Sequence, residues 1–173
     1  MATYGVTGAS GQLGKLVLDE LLTQVEPEID PGSIVAFGRD VAKLADYAAR
    51  GVIVRDMDYD KPEMLVGQLA GVDRLLLIAG SALGQRPRQH AAVIDAAKAA
   101  GVSYIAYTSI LNAPGSPIKL GSEHAQTEVS LIASAIPHDL LRHGWYNENY
   151  ILSLPMQTEA RVITGAQGEG RIS

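Results

Sequence analysis

The sequence predicts an α/β fold in which six parallel strands, in the order 3-2-1-4-5-6, form one doubly wound sheet with helices on both faces. Three observations lead there. Short apolar segments alternate with stretches of helical periodicity along most of the chain, the pattern of successive βαβ units. The segment Thr7-Gly8-Ala9-Ser10-Gly11-Gln12-Leu13-Gly14 sits between the first apolar run and the first helical one. That is the strand, glycine turn and helix context of a Rossmann-type nucleotide fold. Glycine also follows helical stretches at Ala49-Arg50-Gly51, Leu69-Ala70-Gly71 and Ala99-Ala100-Gly101, as a cap leading into the next strand.

Thr3–Thr7 reads as a short buried strand. Gln12–Gln24 follows as a helix, with Leu13, Leu16, Val17, Leu21 and Leu22 at helical spacing. Ile34–Phe37 and Val52–Arg55 are the second and third strands, joined through a helix at Val41–Ala49. Helix Pro62–Ala70 leads to strand Arg74–Ala79, helix Gln85–Ala100 to strand Tyr104–Ser109, and helix Ser122–Ser134 to strand His138–His143. The crossovers are expected to be right-handed. Asn112–Gly121 carries two prolines and two glycines. It reads as a loop beyond a strand end, where such sheets bind ligands. After Tyr150 the pattern changes: Ile151–Ala160 reads as a short helix, Arg161–Thr164 as a short strand, and Gly165–Gly170 as a polar glycine-rich stretch. Residues 1–150 are therefore expected to form a dinucleotide-binding domain, and residues 151–173 to begin a truncated or missing substrate-binding portion.

The bulk numbers narrow the function. A chain of 173 residues, 47% hydrophobic and 19% charged, suffices for one globular domain with a substantial core. A net charge of −5 offers no basic surface to nucleic acid. With no cysteine, disulfides, thiol catalysis and zinc–thiolate sites are excluded, and the chain fits a reducing cytosol. No basic segment followed by an apolar run opens the chain, and no apolar stretch is long enough to span a bilayer. The expectation is a cytoplasmic protein without a membrane span or nucleic-acid partner. Glu123, Glu128 and Asp139 make no recognisable metal-ligand spacing with histidine, so no metal is expected.

The glycine turn assigns the first binding residues. Gly8 permits the tight turn, Gly11 lets backbone approach a pyrophosphate, and Gly14 lets the helix pack close to the strand. The positive end of the helix then faces the phosphates, so Gly8, Ala9, Ser10, Gly11, Gln12 and Leu13 are cofactor-binding candidates. The second strand is followed by Gly38-Arg39-Asp40. An NAD-preferring site places a carboxylate at this strand end, whereas the Arg39 guanidinium suits the 2′-phosphate of NADP(H). Asp40 either competes for that position or caps the next helix. Asp58 and Tyr59 follow the third strand, near an adenine site. Ala79, Gly80 and Ser81 follow the fourth, where small residues let the nicotinamide ribose pass close to backbone, or simply turn the chain. Thr108 and Ser109 end the fifth strand, where they either donate hydrogen bonds towards a nicotinamide or cap the loop. Arg86 and His90 open the fourth helix and read as a solvated face or a contact of a homodimer.

These motifs resemble the NmrA-like, atypical short-chain dehydrogenase/reductase group, and within it the bacterial NADPH-dependent quinone oxidoreductases. The resemblance rests on Thr7–Gly14, Leu75–Ile78, Gly84-Gln85-Arg86, Ala96–Gly101 and Ile105–Ser109. Its most specific part is Leu141-Arg142-His143-Gly144-Trp145-Tyr146-Asn147-Glu148-Asn149-Tyr150. It covers nearly the whole chain. It implies cofactor contacts from Gly8–Leu13, Arg39, Ala79–Ser81, and His143, Gly144, Trp145, Tyr146, Asn147 and Glu148. The group's pattern has Asn at position 143, Ser at 147 and a serine at 80, and its members continue beyond the length of this chain.

The resemblance implies an NADPH-dependent oxidoreductase that passes hydride to a quinone or similar carbonyl acceptor. The alternative within the group is a non-catalytic dinucleotide sensor that regulates a partner. None of the seven tyrosines has lysine four residues on, so the Tyr-x-x-x-Lys proton relay is absent. Hydride transfer does not depend on it, because the cofactor carries that chemistry. Two residues compete for the polar role. Asn149 corresponds to an asparagine implicated in the quinone reductases, and its amide suits a developing oxyanion. Otherwise it caps a turn. His124 lies where the isoflavone-reductase branch has its catalytic lysine and titrates near neutral pH. Otherwise it is a surface helix residue. Trp145 and Tyr146 either stack on a ring substrate or pack beneath the cleft.

Overall fold

The computed structural model describes residues 2–26, 28–151 and 154–161, without the side chains of Tyr150 and Ala160. In chain order the elements begin with β1 (Tyr4–Val6), α1 (Gln12–Thr23), β2 (Ile34–Gly38), α2 (Ala45–Ala49), β3 (Ile53–Asp56) and α3 (Pro62–Gln68). They continue with β4 (Arg74–Leu77), α4 (Arg86–Ala99), β5 (Tyr104–Ile110), α5 (Lys119–Ser134), β6 (His138–His143), α6 (Asn147–Ile151) and α7 (Leu154–Ala160). The strands pair in the expected order β3-β2-β1-β4-β5-β6, and every pairing is parallel. All six carboxyl ends therefore share one edge.

Alternation along the strands divides the core in two. Val35, Phe37, Leu75, Leu77, Ile105 and Tyr107 pack with Leu65 of α3, Val93, Ile94 and Ala97 of α4, and Leu131 of α5. Val6, Ile34 and Ala36 pack on the other face with Leu18 of α1, Leu44 and Tyr47. Each fully buried leucine in these layers contributes about 1.5–3 kcal/mol, so the two layers together clamp the sheet whose edge carries the cleft.

The boundaries differ from expectation in instructive places. Val41–Ala49 is a 3-10 turn, Val41–Leu44, followed by the short α2. Helix α5 begins at Lys119, three residues before the expected Ser122, and absorbs the end of the loop. Its Gly121 serves packing: a Cβ there would lie 2.2 Å from the Ser116 Cβ. Strand β4 ends at Leu77, because the N–H groups of Ile78 and Ala79 leave the ladder for the hydroxyls of Thr7 and Thr108, at 2.9 and 2.8 Å. Helical structure after β6 starts at Asn147, before the expected Ile151. The expected strand residues 162–164 and the glycine-rich 165–170 lie outside the described residues.

Candidate functional site

The ends of β1, β2, β3 and β4 open into one cleft of about 360 Å³. At β1, Gly8 turns the chain at φ +60°, a conformation that costs glycine little and other residues more. The turn is tied down by its own backbone. Ala9, fully buried, donates its N–H to the Phe37 carbonyl at 3.0 Å, and Gly11 donates to Gly8 at 2.9 Å. Ala9 thus ties the turn to β2 and does not line the cleft. Gln12, Leu13 and Gly14 do line it. Their N–H groups lie in the first turn of α1, where no helical carbonyl stands upstream. No acidic side chain occupies that turn, which leaves the positive helix end available to an anion. Gly14 is the tightest point: a Cβ would meet the Gly8 carbonyl oxygen at 2.4 Å and the Ala9 Cα at 2.6 Å.

At β2, Gly38 is buried and Arg39 is exposed, and both line the cleft. Among the described residues, no ion pair includes Arg39. Asp40 is occupied. It accepts the Ala42 N–H at 3.2 Å and pairs with Lys43 at 3.5 Å, capping the next turn. Beyond β3, Asp58 accepts the Asp60 N–H at 3.1 Å. Asp60 holds Arg88 and both of its oxygens meet the Gln89 amide at 3.1 Å. The Arg88 and Gln89 hydrogen bonds hold the Asp60 carboxyl below its usual range. Tyr59 is half-buried on the cleft wall, and burial pushes its phenol up to about 12.

At β4, Ala79, Gly80 and Ser81 line the cleft, and a buried polar frame holds them. Gly80 donates its N–H to His90 Nε2 at 3.1 Å, while its carbonyl accepts Arg86 Nε and Nη2 at 2.9 and 2.7 Å. Arg86 Nη1 reaches Glu123 Oε2 at 2.7 Å, and Glu123 Oε1 accepts the Gly84 N–H at 2.7 Å. His90 is fully buried and Arg86 is 4% exposed. The expectation of a solvated face or dimer contact at these two residues is therefore corrected. The turn after β4 has backbone groups that no strand satisfies, and polar side chains of α4 and α5 supply their partners. A signal was present: Arg86, His90, Val93 and Ala97 fall on one stripe at helical spacing, so polar residues there share the buried face.

The remaining candidates stand in β5 and in the elements after it. Thr108 accepts from Ala79, and Ser109 donates to Glu128 Oε1 at 2.6 Å. Burial would raise the Glu128 carboxyl, but the Arg142 fork, at 3.0 and 2.7 Å, and Ser109 outweigh it and hold it low. His124 is buried, not a surface residue, and its Nδ1 meets the Tyr107 hydroxyl at 2.7 Å. Burial and Arg86 lower it to about 4, so it is neutral at pH 7. It is not part of the cleft lining. Gly144, Trp145, Tyr146, Asn147, Glu148 and Asn149 are exposed after β6, two strands beyond β4 on the same sheet edge. They too lie outside the lining of the cleft. The Asn149 N–H bonds the Tyr146 carbonyl at 3.1 Å. The half-buried His143 ring stands edge-on to Tyr146 at 5.8 Å. Among the described residues no cluster of His and carboxylates could hold a metal, and no helix is long and apolar enough to cross a membrane.

Known proteins are similar to this chain in sequence and fold. The family described as NAD(P)H-binding matches residues 8–168. Quinone oxidoreductase 2 of Escherichia coli is 49% identical over 169 residues, covering 97% of this chain and 57% of that protein. An NmrA-like family domain-containing oxidoreductase of Aspergillus flavus is 30% identical over 168 residues, covering 93% of this chain and 53% of that one. A crystal structure of an NADPH-dependent quinone oxidoreductase from Escherichia coli, complexed with NADPH, superimposes with a TM-score of 0.88 at 47% identity. It covers 95% of this chain and 57% of its own. The chain thus spans a little over half the length of these relatives. With a glycine turn, an exposed arginine and a framed β4 turn around one cleft, the chain belongs to the NAD(P)H-binding family.

Proposed function

We propose that this chain is the NADPH-binding part of an oxidoreductase that reduces a quinone or a similar carbonyl acceptor. The observation that carries the reading is an exposed Arg39 on the cleft wall, in no ion pair among the described residues, next to an Asp40 already occupied in capping. An exposed guanidinium at this strand end suits a 2′-phosphate, through charge-assisted forked hydrogen bonds, better than a ribose hydroxyl. The cradle also fits the group. A Cβ at Gly11 would press on the Gly8 oxygen at 3.2 Å, so the surface there is bare backbone beside the first-turn N–H groups.

In this reading Gln12, Leu13 and Gly14 hold the pyrophosphate, Arg39 the 2′-phosphate, and Ala79–Ser81 the nicotinamide side. Bound NADPH supplies the hydride, and a quinone gains that hydride and a proton to become a hydroquinone. Asn149 is assigned to the acceptor oxygen, and Trp145 and Tyr146 to its ring, because they stand exposed at the same sheet edge. Residues from 151 onward begin the substrate-binding portion. The similar Escherichia coli quinone oxidoreductase, with its NADPH complex, supports the assignment. A chain without cysteine suits a reducing compartment, and the cytoplasm is the location assigned here. Steady-state NADPH oxidation with benzoquinone or menadione tests the function. Turnover supports it. Cofactor binding without turnover points to a dinucleotide-sensing regulator, and no binding refutes both.

A further inference from the structure

The β4 turn is shaped by side chains that never line the cleft edge themselves. Gly80 is gripped on both of its polar groups: His90 Nε2 accepts its N–H at 3.1 Å, and Arg86 doubly donates to its carbonyl at 2.9 and 2.7 Å. A backbone N–H can only donate. Nε2 must therefore carry a lone pair, and the proton of the neutral ring must sit on Nδ1. Nδ1 lies 3.1 Å from the Thr127 hydroxyl oxygen, whose own proton goes to the Glu123 carbonyl at 3.1 Å. Every donor then has an acceptor, and only one tautomer of His90 satisfies the chain of bonds.

We propose that His90, locked as its Nδ1–H tautomer between Thr127 and Gly80, is a positioning residue that sets the β4 turn for the nicotinamide half of the cofactor. The proposal rests on the NADPH reading given above. His90 touches Gly80 and not the cleft space, so it acts through the backbone of the turn. Its hydrogen bonds lie on the β4 side: the β1 turn is held by separate bonds, from Ala9 to Phe37 and from Gly11 to Gly8, and towards β3 the ring makes only an edge-on contact with Tyr59 at 6.2 Å. Loss of the imidazole should accordingly weaken one half of the dinucleotide and spare the other.

The test compares His90→Leu and His90→Gln by calorimetric titration with two probes, NADPH and adenosine 2′,5′-bisphosphate. The bisphosphate lacks the nicotinamide half. His90→Leu should weaken NADPH by about tenfold, the scale of one lost buried hydrogen bond, and leave the bisphosphate affinity unchanged. His90→Gln should recover most of the loss, because its Oε1 can accept from Gly80. Unchanged NADPH affinity in His90→Leu, or equal losses for both probes, overturns the positioning role. Wild-type protein that binds neither probe overturns the cofactor reading and this proposal with it. If His90→Leu fails to fold, the imidazole 15N spectrum of the wild-type protein decides. A protonated Nδ1 with an unprotonated Nε2 is expected, and a proton on Nε2 rules the mechanism out.

Discussion

Arg86 and Glu123 meet at 2.7 Å with side chains only 5% and 4% exposed. Their pairing joins α4 to α5 directly beneath the β4 turn. Glu123→Gln keeps the shape and an acceptor for the Gly84 N–H but leaves the guanidinium without its counter-charge. Breaking a buried pair from one side typically costs about 3–5 kcal/mol. Urea unfolding of Glu123→Gln should show a loss in that range. A change below about 1 kcal/mol, the scale of an exposed pair, would mean the pair is solvated in solution.

Two glycines separate close approach from ordinary helix chemistry. Gly14→Ala drives a Cβ into backbone at 2.4 and 2.6 Å, so helix or turn must shift. Overpacking of this kind costs about 1–3 kcal/mol, and the displaced first turn should lose NADPH affinity. Gly67 lies within α3 with nothing within 4 Å of its Cβ position. Gly67→Ala should instead stabilise the protein by about 0.5–1 kcal/mol. Paired thermal melts and cofactor titrations check both, and equal effects at the two sites would refute the distinction.

The buried histidines make the fold acid-sensitive earlier than its carboxylates would. Burial, with Arg86 nearby, lowers His90 to about 3 and His124 to about 4. The unfolded chain titrates near the ordinary histidine value of about 6.5 and so binds protons that the folded chain refuses. Stability is fully present above that value and falls as pH drops towards the folded values, by on the order of 2 kcal/mol per histidine at pH 5. Denaturant titrations at pH 7 and 5 should show this fall, and His90→Gln should remove about half of it. A stability that is flat between those pH values would contradict the buried neutral state of both rings.

The fold was legible because its signals are local and repeated. Each β-α alternation and the Gly8–Gly14 turn pointed to the same parallel sheet, and strand order followed from the Rossmann pattern. The lining of the cleft was legible at Gly8, Ser10, Gly11, Gln12, Leu13 and Gly14, at Arg39 and at Ala79, Gly80 and Ser81, but not at Ala9, which is buried against β2. The frame behind it was not. Arg86, His90, Glu123 and His124 are polar residues inside a core, and residue type alone places such groups outside. Their helical spacing with Val93, Ala97 and Leu131 held the correction, but their partners are separated by up to 39 residues in sequence. Only the assembled strand ends reveal what the polar groups satisfy.

Arg39→Ala should discriminate between the two dinucleotides. A hydrogen bond to a charged group is worth about 1.5–3 kcal/mol, so NADPH affinity should fall by at least tenfold while NADH affinity stays where it was. Because Asp40 already caps Val41–Leu44 through the Ala42 N–H, the substitution does not free a carboxylate to take over the ribose. Equal losses for NADPH and NADH, or equal affinities in the unmodified protein, would sink the 2′-phosphate role of Arg39.

Asn149 and His124 divide the remaining chemistry. Asn149 is exposed in the middle of α6, whereas His124 is buried against Tyr107 and neutral at pH 7. An exposed amide can reach an acceptor oxygen, and losing one donor to a developing oxyanion costs on the order of 100-fold in rate. Asn149→Ala should therefore lower kcat for benzoquinone by that scale and leave NADPH affinity nearly intact. His124→Ala removes the imidazole that meets the fully buried Tyr107 hydroxyl at 2.7 Å. It should cost about 0.5–1.5 kcal/mol of stability, the net worth of one hydrogen bond, and change kcat much less. The comparison uses protein that turns over benzoquinone before substitution. Full activity in Asn149→Ala beside a crippled but folded His124→Ala would reverse the assignment. It would make the Tyr107–His124 pair the proton path, which then has to open towards the cleft during turnover.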